Sequence, residues 1–246
     1  MPSTLDPYCG PAPDSQDLQY AWNLDPVLVL VLVSVIAVLH ARSDDRHRGL
    51  TILLSLVLVI AFVSPLCALS TALFSARTIH HILVGSVAAP IAAALLLASP
   101  MKTLKVPAEA IFLLHTVVYW TWHLPFAYDF ALSGTLPYWL MQAALIGSSV
   151  WLWLRILSEK TSMLSSVGLA VGTMVQMGFL GAILTFAPQP LYAPHLLTTQ
   201  VFGFTPLGDQ QLSGVLMWTL GFAPYAAAAV FVLRKRLFCS HQALGN

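Results

Sequence analysis

Long apolar runs separated by short polar connections organise the chain, at 26–42, 50–73, 78–99, 107–127, 136–156, 164–187 and 211–233. Each comes close to the ~20 residues that a helix needs to cross ~30 Å of hydrocarbon, the first and fourth fitting least well. Lipid makes a backbone satisfy its own hydrogen bonds, which leaves helices or a closed barrel. The runs are too long and too continuously apolar for barrel strands. The expected fold is an all-α integral membrane protein, a single bundle of seven transmembrane helices spanning residues 1–246.

The cations between these runs set an orientation. Arg42, Arg46 and Arg48 follow the first run, Lys102 and Lys105 the third, Arg155 and Lys160 the fifth, and Arg234, Lys235 and Arg236 the last. Arg77 alone falls on the other side. Because basic residues stay in the cytoplasm, residues 1–25 are expected outside, as a periplasmic segment, and 234–246 inside, as a cytoplasmic tail. Residues 1–25 hold acids and no bases, unlike a secretory signal, so the first run is expected to belong to the mature protein.

Composition agrees, with 58% hydrophobic and 9% charged residues. A net charge of +1 argues against general attraction to nucleic acid, and the lipid bilayer is the expected surroundings. Asp25-Pro26 reads as a helix N-cap followed by proline at the first helical position. Tyr20 and Trp22, with Tyr128, Tyr138 and Trp139, are expected as anchors at the outer interface, and Trp151 and Trp153 at the inner one. Cys9 and Cys67 share the outer side, which leaves a disulfide between them open, whereas Cys239 lies across the bilayer. No paired-cysteine metal motif, phosphate loop or nucleophile elbow is present.

The remaining chemistry gathers toward the outer face. Ionisable groups in spans are costly and therefore functional candidates. Arg77, His80 and His81 open the third span, His123 closes the fourth, Asp129 follows it, His195 lies in the long sixth connection, and Asp209 opens the seventh span. Imidazoles at one surface suit a transition metal, or they bond to water and backbone. His115, Tyr119 and His123 lie four apart and form a stripe on one helix face. His115 there serves an interhelical hydrogen bond or an ion path.

Five segments, 22–26, 64–90, 122–132, 184–192 and 208–218, resemble in that order the blocks of the CtaG-type family of cytochrome c oxidase assembly factors. The most specific piece is Asp209-Gln210-Gln211 followed by Gly214 and Trp218. The resemblance implies a seven-helix protein of the bacterial plasma membrane. Its implied work is maturation of a haem-copper oxidase through delivery of copper, with oxidase subunits and a periplasmic copper chaperone as partners and no catalytic turnover. Copper would be the metal, with His81, His123, His80, His195 and Asp209 as candidate site residues. The chain departs from the family pattern in two places. Arg77 stands where the third span usually carries a histidine four before His81, and Tyr138, Met141 and Gln142 replace a histidine and a Glu-His pair in the fifth span. A guanidinium has no free lone pair for a metal, while the thioethers of Met141, Met174, Met177 and Met217 suit Cu(I).

Two other classes stay open: a membrane haem protein or oxidoreductase using these histidines as axial ligands, and a small-solute transporter. A transporter favours repeated halves and helices broken near the midplane, and Gly221 and Pro224 supply one such break.

Overall fold

The structure, a computed structural model, describes residues 6–98 and 106–244, the last seven of these as backbone alone. Lys102, Lys105 and the side chain of Cys239 lie outside the described residues. The fold is all-helical, 77% helix, with no strands among the described residues.

Helix α1 (Pro26–Arg42) starts where the Asp25 carboxylate accepts the Val27 amide at 2.8 Å, with Pro26 in the first turn. It buries only Leu28 and Leu32 and leaves Val27, Leu30, Val31 and Val33 exposed. Such a helix needs an apolar surrounding. Helix α2 (Arg48–Phe62) meets α3 (Leu66–Ala72) at a 41° bend beside Pro65. Helix α4 (Phe74–Ile82) passes through a π-helical stretch, Leu83–Ala88, into α5 (Ala89–Ala98).

Helix α6 (Ala108–His123) stops before Pro125, since the residue preceding proline disfavours helical backbone, and α7 (Pro125–Ala131) follows at once. Helices α8 (Thr135–Leu157) and α9 (Met163–Phe186) are continuous. A connection with two short 3-10 turns leads to α10 (Pro206–Leu216), which the Thr205 hydroxyl caps through the Gly208 amide. A second π-helical stretch, Met217–Gly221, joins α10 to α11 (Ala223–Leu244).

Helix thus occupies every apolar run of the sequence. Four helical rods are long and apolar enough to cross a membrane, Phe74–Ala98, Thr135–Leu157, Met163–Phe186 and Pro206–Leu237, and a fifth arises if α2 and α3 count as one. Pro26–Arg42 is apolar but shorter. These rods are compatible with a membrane protein.

Helix α9 is central, packing on α6, α8, α10 and α11. Its crossing with α10 is close because Gly181 and Gly214 face each other: a side-chain carbon added to Gly214 would collide with Thr185 and the Gly181 carbonyl. Small residues permit such an approach in a lipid-soluble bundle. At one end of the bundle Lys235 pairs with Glu159 at 2.6 Å, and Arg236 donates to the carbonyls of Ser158, Glu159 and Thr161.

At the opposite end the segment before α1 folds back over the helices. Cys9 and Cys67 are joined in a disulfide, with Cα atoms 5.4 Å apart. Closing so long a loop removes about 4 kcal/mol of unfolded-state entropy on the chain-entropy account. The Tyr8 hydroxyl donates to Asp25 at 2.7 Å, and its ring stacks on Tyr138 at 4.9 Å.

Three aromatics depart from the expected interfacial belts. Tyr128, Tyr138 and Trp153 are each 1% exposed. The Tyr128 hydroxyl and the Trp153 indole find partners inside the bundle, His195 and the Gly85 carbonyl, so their polar tips need no headgroups. Tyr20 and Trp22 are exposed as expected.

Candidate functional site

The site is assembled around the start of α4. Asp209, the fourth residue of α10, is buried, and its carboxylate accepts the amides of Phe74 at 2.6 Å and Ser75 at 3.2 Å. It also accepts the Ser75 hydroxyl. The first amides of a helix have no partner within it, and the helix dipole makes that end positive. One carboxylate on α10 therefore caps the start of α4. Gln210 continues the tie, accepting from the Leu191 amide at 2.7 Å and donating to the Leu184 carbonyl at 3.3 Å.

Helix α4 then carries Arg77, His80 and His81 into the bundle. The His81 ring lies 6.1 Å, centre to centre, from that of His123 at the end of α6, and 5.7 Å from that of His80. Neither nitrogen of His81 has a hydrogen-bond partner among the described residues. His123 is oriented by its own helix: its Nδ1 lies 2.7 Å from the Tyr119 carbonyl, which can only accept, so Nδ1 carries the proton and Nε2 keeps its lone pair. His80 is fully buried with its ring edge-on to Phe62 at 5.1 Å, and both its nitrogens lack a partner.

His195 has a different occupation. It lies in the connection between α9 and α10, outside the rods, where Nδ1 meets the Ala72 carbonyl at 3.1 Å and Nε2 meets the Tyr128 hydroxyl at 2.6 Å. Both nitrogens are used. The carbonyl fixes the tautomer, so Tyr128 donates. Thr198 donates to the same carbonyl at 2.6 Å. Tyr192 donates to the His123 carbonyl at 2.8 Å and stacks on Phe74 at 4.0 Å. Together these contacts press the connection onto the ends of α3, α4 and α6.

The structure therefore brings His81, His123 and His80 together, and sets His195 and Asp209 to holding backbone. Among the described residues no group of three or more His, Cys, Asp or Glu is placed to hold a metal ion. Arg77 forms no ion pair with Asp129 or Asp209, and no guanidinium nitrogen makes a hydrogen bond of good geometry, although the Tyr128 and Tyr138 hydroxyls lie close enough to interact with it. Its charge acts on His80, His81, Tyr128, Tyr138 and His195. His115 makes the interhelical bond, with Nδ1 3.1 Å from the Ser148 hydroxyl on α8.

Sequence reasoning missed the part played by Tyr128, Tyr138 and Tyr192. Their only signal was a phenol close to a helix break, after Pro125, in the first turn of α8 and after Pro190, where the chain can fold a polar tip inward.

The sequence model of the cytochrome c oxidase caa3 assembly factor family matches residues 93–237, more than half of the chain. The chain belongs to this family. The match takes in His123, His195 and Asp209 and begins after Arg77, His80 and His81. No curated protein and no solved structure matches the chain.

Burial holds the His195 ring neutral, lowering its pKa from the ordinary 6.5 to about 4. Between those values the unfolded chain binds a proton that the folded chain does not. Stability from this group is thus complete above pH 6.5 and is lost as pH falls toward about 4. The slope expected from this group is about 1.4 kcal/mol per pH unit. Unfolding midpoints of the parent and His195→Gln, recorded from pH 7 to 4, should show a shallower acid loss in the variant; parallel curves would show that His195 titrates normally.

Proposed function

We propose that this chain is an assembly factor for a haem-copper oxidase in the bacterial plasma membrane, passing copper through His81 and His123 at the periplasmic face. Membership of the caa3 assembly factor family supports the oxidase role. The paired imidazoles carry the copper reading. His81 has both nitrogens unengaged, and His123 has Nδ1 tied to a carbonyl, the arrangement by which proteins orient a metal-binding imidazole. Imidazole nitrogen suits copper, and buried thioethers such as those of Met141 and Met177 add soft donors to the same core.

Copper is cargo here, and the residues fit that use better than permanent storage. Two imidazoles give a sparse donor set, and Arg77 adds a like charge to the field at His81. A cation so held is released readily to a partner. The partners in this reading are oxidase subunits and a periplasmic copper chaperone, and the chain performs no catalytic turnover.

The orientation belongs to the same proposal: seven spans, the amino terminus in the periplasm and the carboxyl terminus in the cytoplasm. The charge distribution supports it. So does the Cys9–Cys67 disulfide beside the site, since disulfides persist in the oxidising periplasm. A reporter active only in the periplasm should respond when fused after Gln200 and be silent after Lys160; the reverse pattern would overturn the orientation.

For the function, deletion of the gene should lower haem-copper oxidase activity while oxidase transcript persists, and the parent gene should restore it. His81→Ala and His123→Ala proteins should reach the membrane in normal amount, bind less Cu(I) once purified, and restore less activity. Undiminished oxidase in the deletion strain would sink the assembly role. Full Cu(I) binding by both variants would sink the copper route alone.

A further inference from the structure

Arg77 brings a permanent charge into the bundle. It is 1% exposed, and Nε, Nη1 and Nη2 all lack a hydrogen-bond partner among the described residues. A guanidinium does not lose its proton in proteins, so it has no neutral form to retreat to. A buried charge of this kind is strongly unfavourable unless something compensates it.

Its polar neighbours are a phenol, an amide and an imidazole, none of which carries negative charge. The guanidinium carbon lies 5.7 Å from the centre of the Tyr138 ring. The Tyr138 hydroxyl and the Gln142 side-chain amide, both on α8, are buried and unbonded as well. His80, one turn along α4, is in the same condition. The nearby carboxylates do not meet this need. Asp209 is committed to the amides of Phe74 and Ser75, and Asp129 makes no ion pair with Arg77.

A buried cation beside a phenol and an amide that can each donate is what an anion requires. We propose that this buried polar cluster binds a small monovalent anion, a halide or a carboxylate, on Arg77, with Tyr138 and Gln142 donating beside it. Dissolved chloride and the acidic side chain of a partner subunit are the two sources of that chemistry. The inference rests on Arg77 and its neighbours and stands whether or not His81 and His123 carry copper. If they do, the anion also offsets the charge of Arg77 that acts on His81.

The test is thermal unfolding of the purified full chain in nanodiscs, in chloride, acetate or bulky gluconate at constant ionic strength. A ligand of the folded state raises the midpoint with the logarithm of its concentration. Chloride or acetate should raise it by about 5–10 °C at a hundredfold excess over Kd, and gluconate should not. A response to chloride identifies a dissolved ion as the source, and a response to acetate alone identifies a carboxylate. Arg77→Met should abolish the response and, in gluconate, melt no lower than the parent, because it removes a charge that nothing offsets. Should that variant fail to fold, Arg77→Lys and Gln142→Leu carry the test: each should weaken the response. Equal midpoints for the parent in all three salts would overturn the proposal, as would a full response in Arg77→Met or in both substitute variants.

Discussion

A single carboxylate fixes the relation between the two helices on which the site depends. Asp209 stands in α10 and bonds to the first amides of α4, as far as 135 positions away in sequence. Buried charge is costly in a bundle, and the cost is met here by three donors and the positive end of a helix. Because the cap acts at Phe74 and Ser75, it sets the height and rotation at which α4 enters. Arg77, His80 and His81 follow within two turns, so their meeting with His123 on α6 and Tyr138 on α8 depends on that entry. The neighbouring Gln210 and Gly214 serve the same junction, one by bonding the end of α9 and the connection after it, the other by letting α10 approach α9 closely. The most specific stretch of the family resemblance is thus a helix junction whose residues hold the site without taking part in its chemistry.

Much of the architecture was legible because hydrophobic length is a one-dimensional signal. The seven apolar runs are helical, the Asp25-Pro26 cap is formed, and the stripe of His115, Tyr119 and His123, spaced by four, is buried on one face with adjacent ring centres 5.8 and 4.6 Å apart. The convergence of His81 and His123 followed from placing both near the same ends of their helices. What sequence could not give was the direction in which a polar tip turns at a helix end. Tyr128 and Tyr138 carry the composition of interfacial anchors, but the N-terminal segment and the connection after α9 fold over that end and enclose them. Asp209 read as a candidate metal-site residue for a related reason: its partners are backbone amides, and backbone amides are anonymous in sequence. The π-helical stretch Met217–Gly221 ends at the break read from Gly221 and Pro224, whereas Leu83–Ala88 left no distinct mark, although Gly85 lies within it.

The donor set has two characters side by side. On one side His81 and His123 offer lone pairs, the requirement for a soft cation. On the other Arg77, Tyr138 and Gln142 offer hydrogens, the requirement for an anion. These demands meet along little more than one turn of α4, where Arg77 and His81 are four residues apart and share a face. A neutral pair of guests satisfies both at once, whereas a lone cation is opposed by Arg77. On the proposed reading that arrangement favours transfer of copper over retention, and it would give a physical role to the arginine that departs from the family pattern.

Dependence of the site on the cap is open to a direct measurement, hydrogen–deuterium exchange of the purified protein and its Asp209→Ala variant in the same nanodiscs. Loss of the cap should raise exchange through residues 74–82, the helix that delivers Arg77 and His81, while residues 135–157 of α8 keep their protection. Unchanged protection across 74–82 in the variant would show that α4 is held by packing alone and that Asp209 does not organise the site.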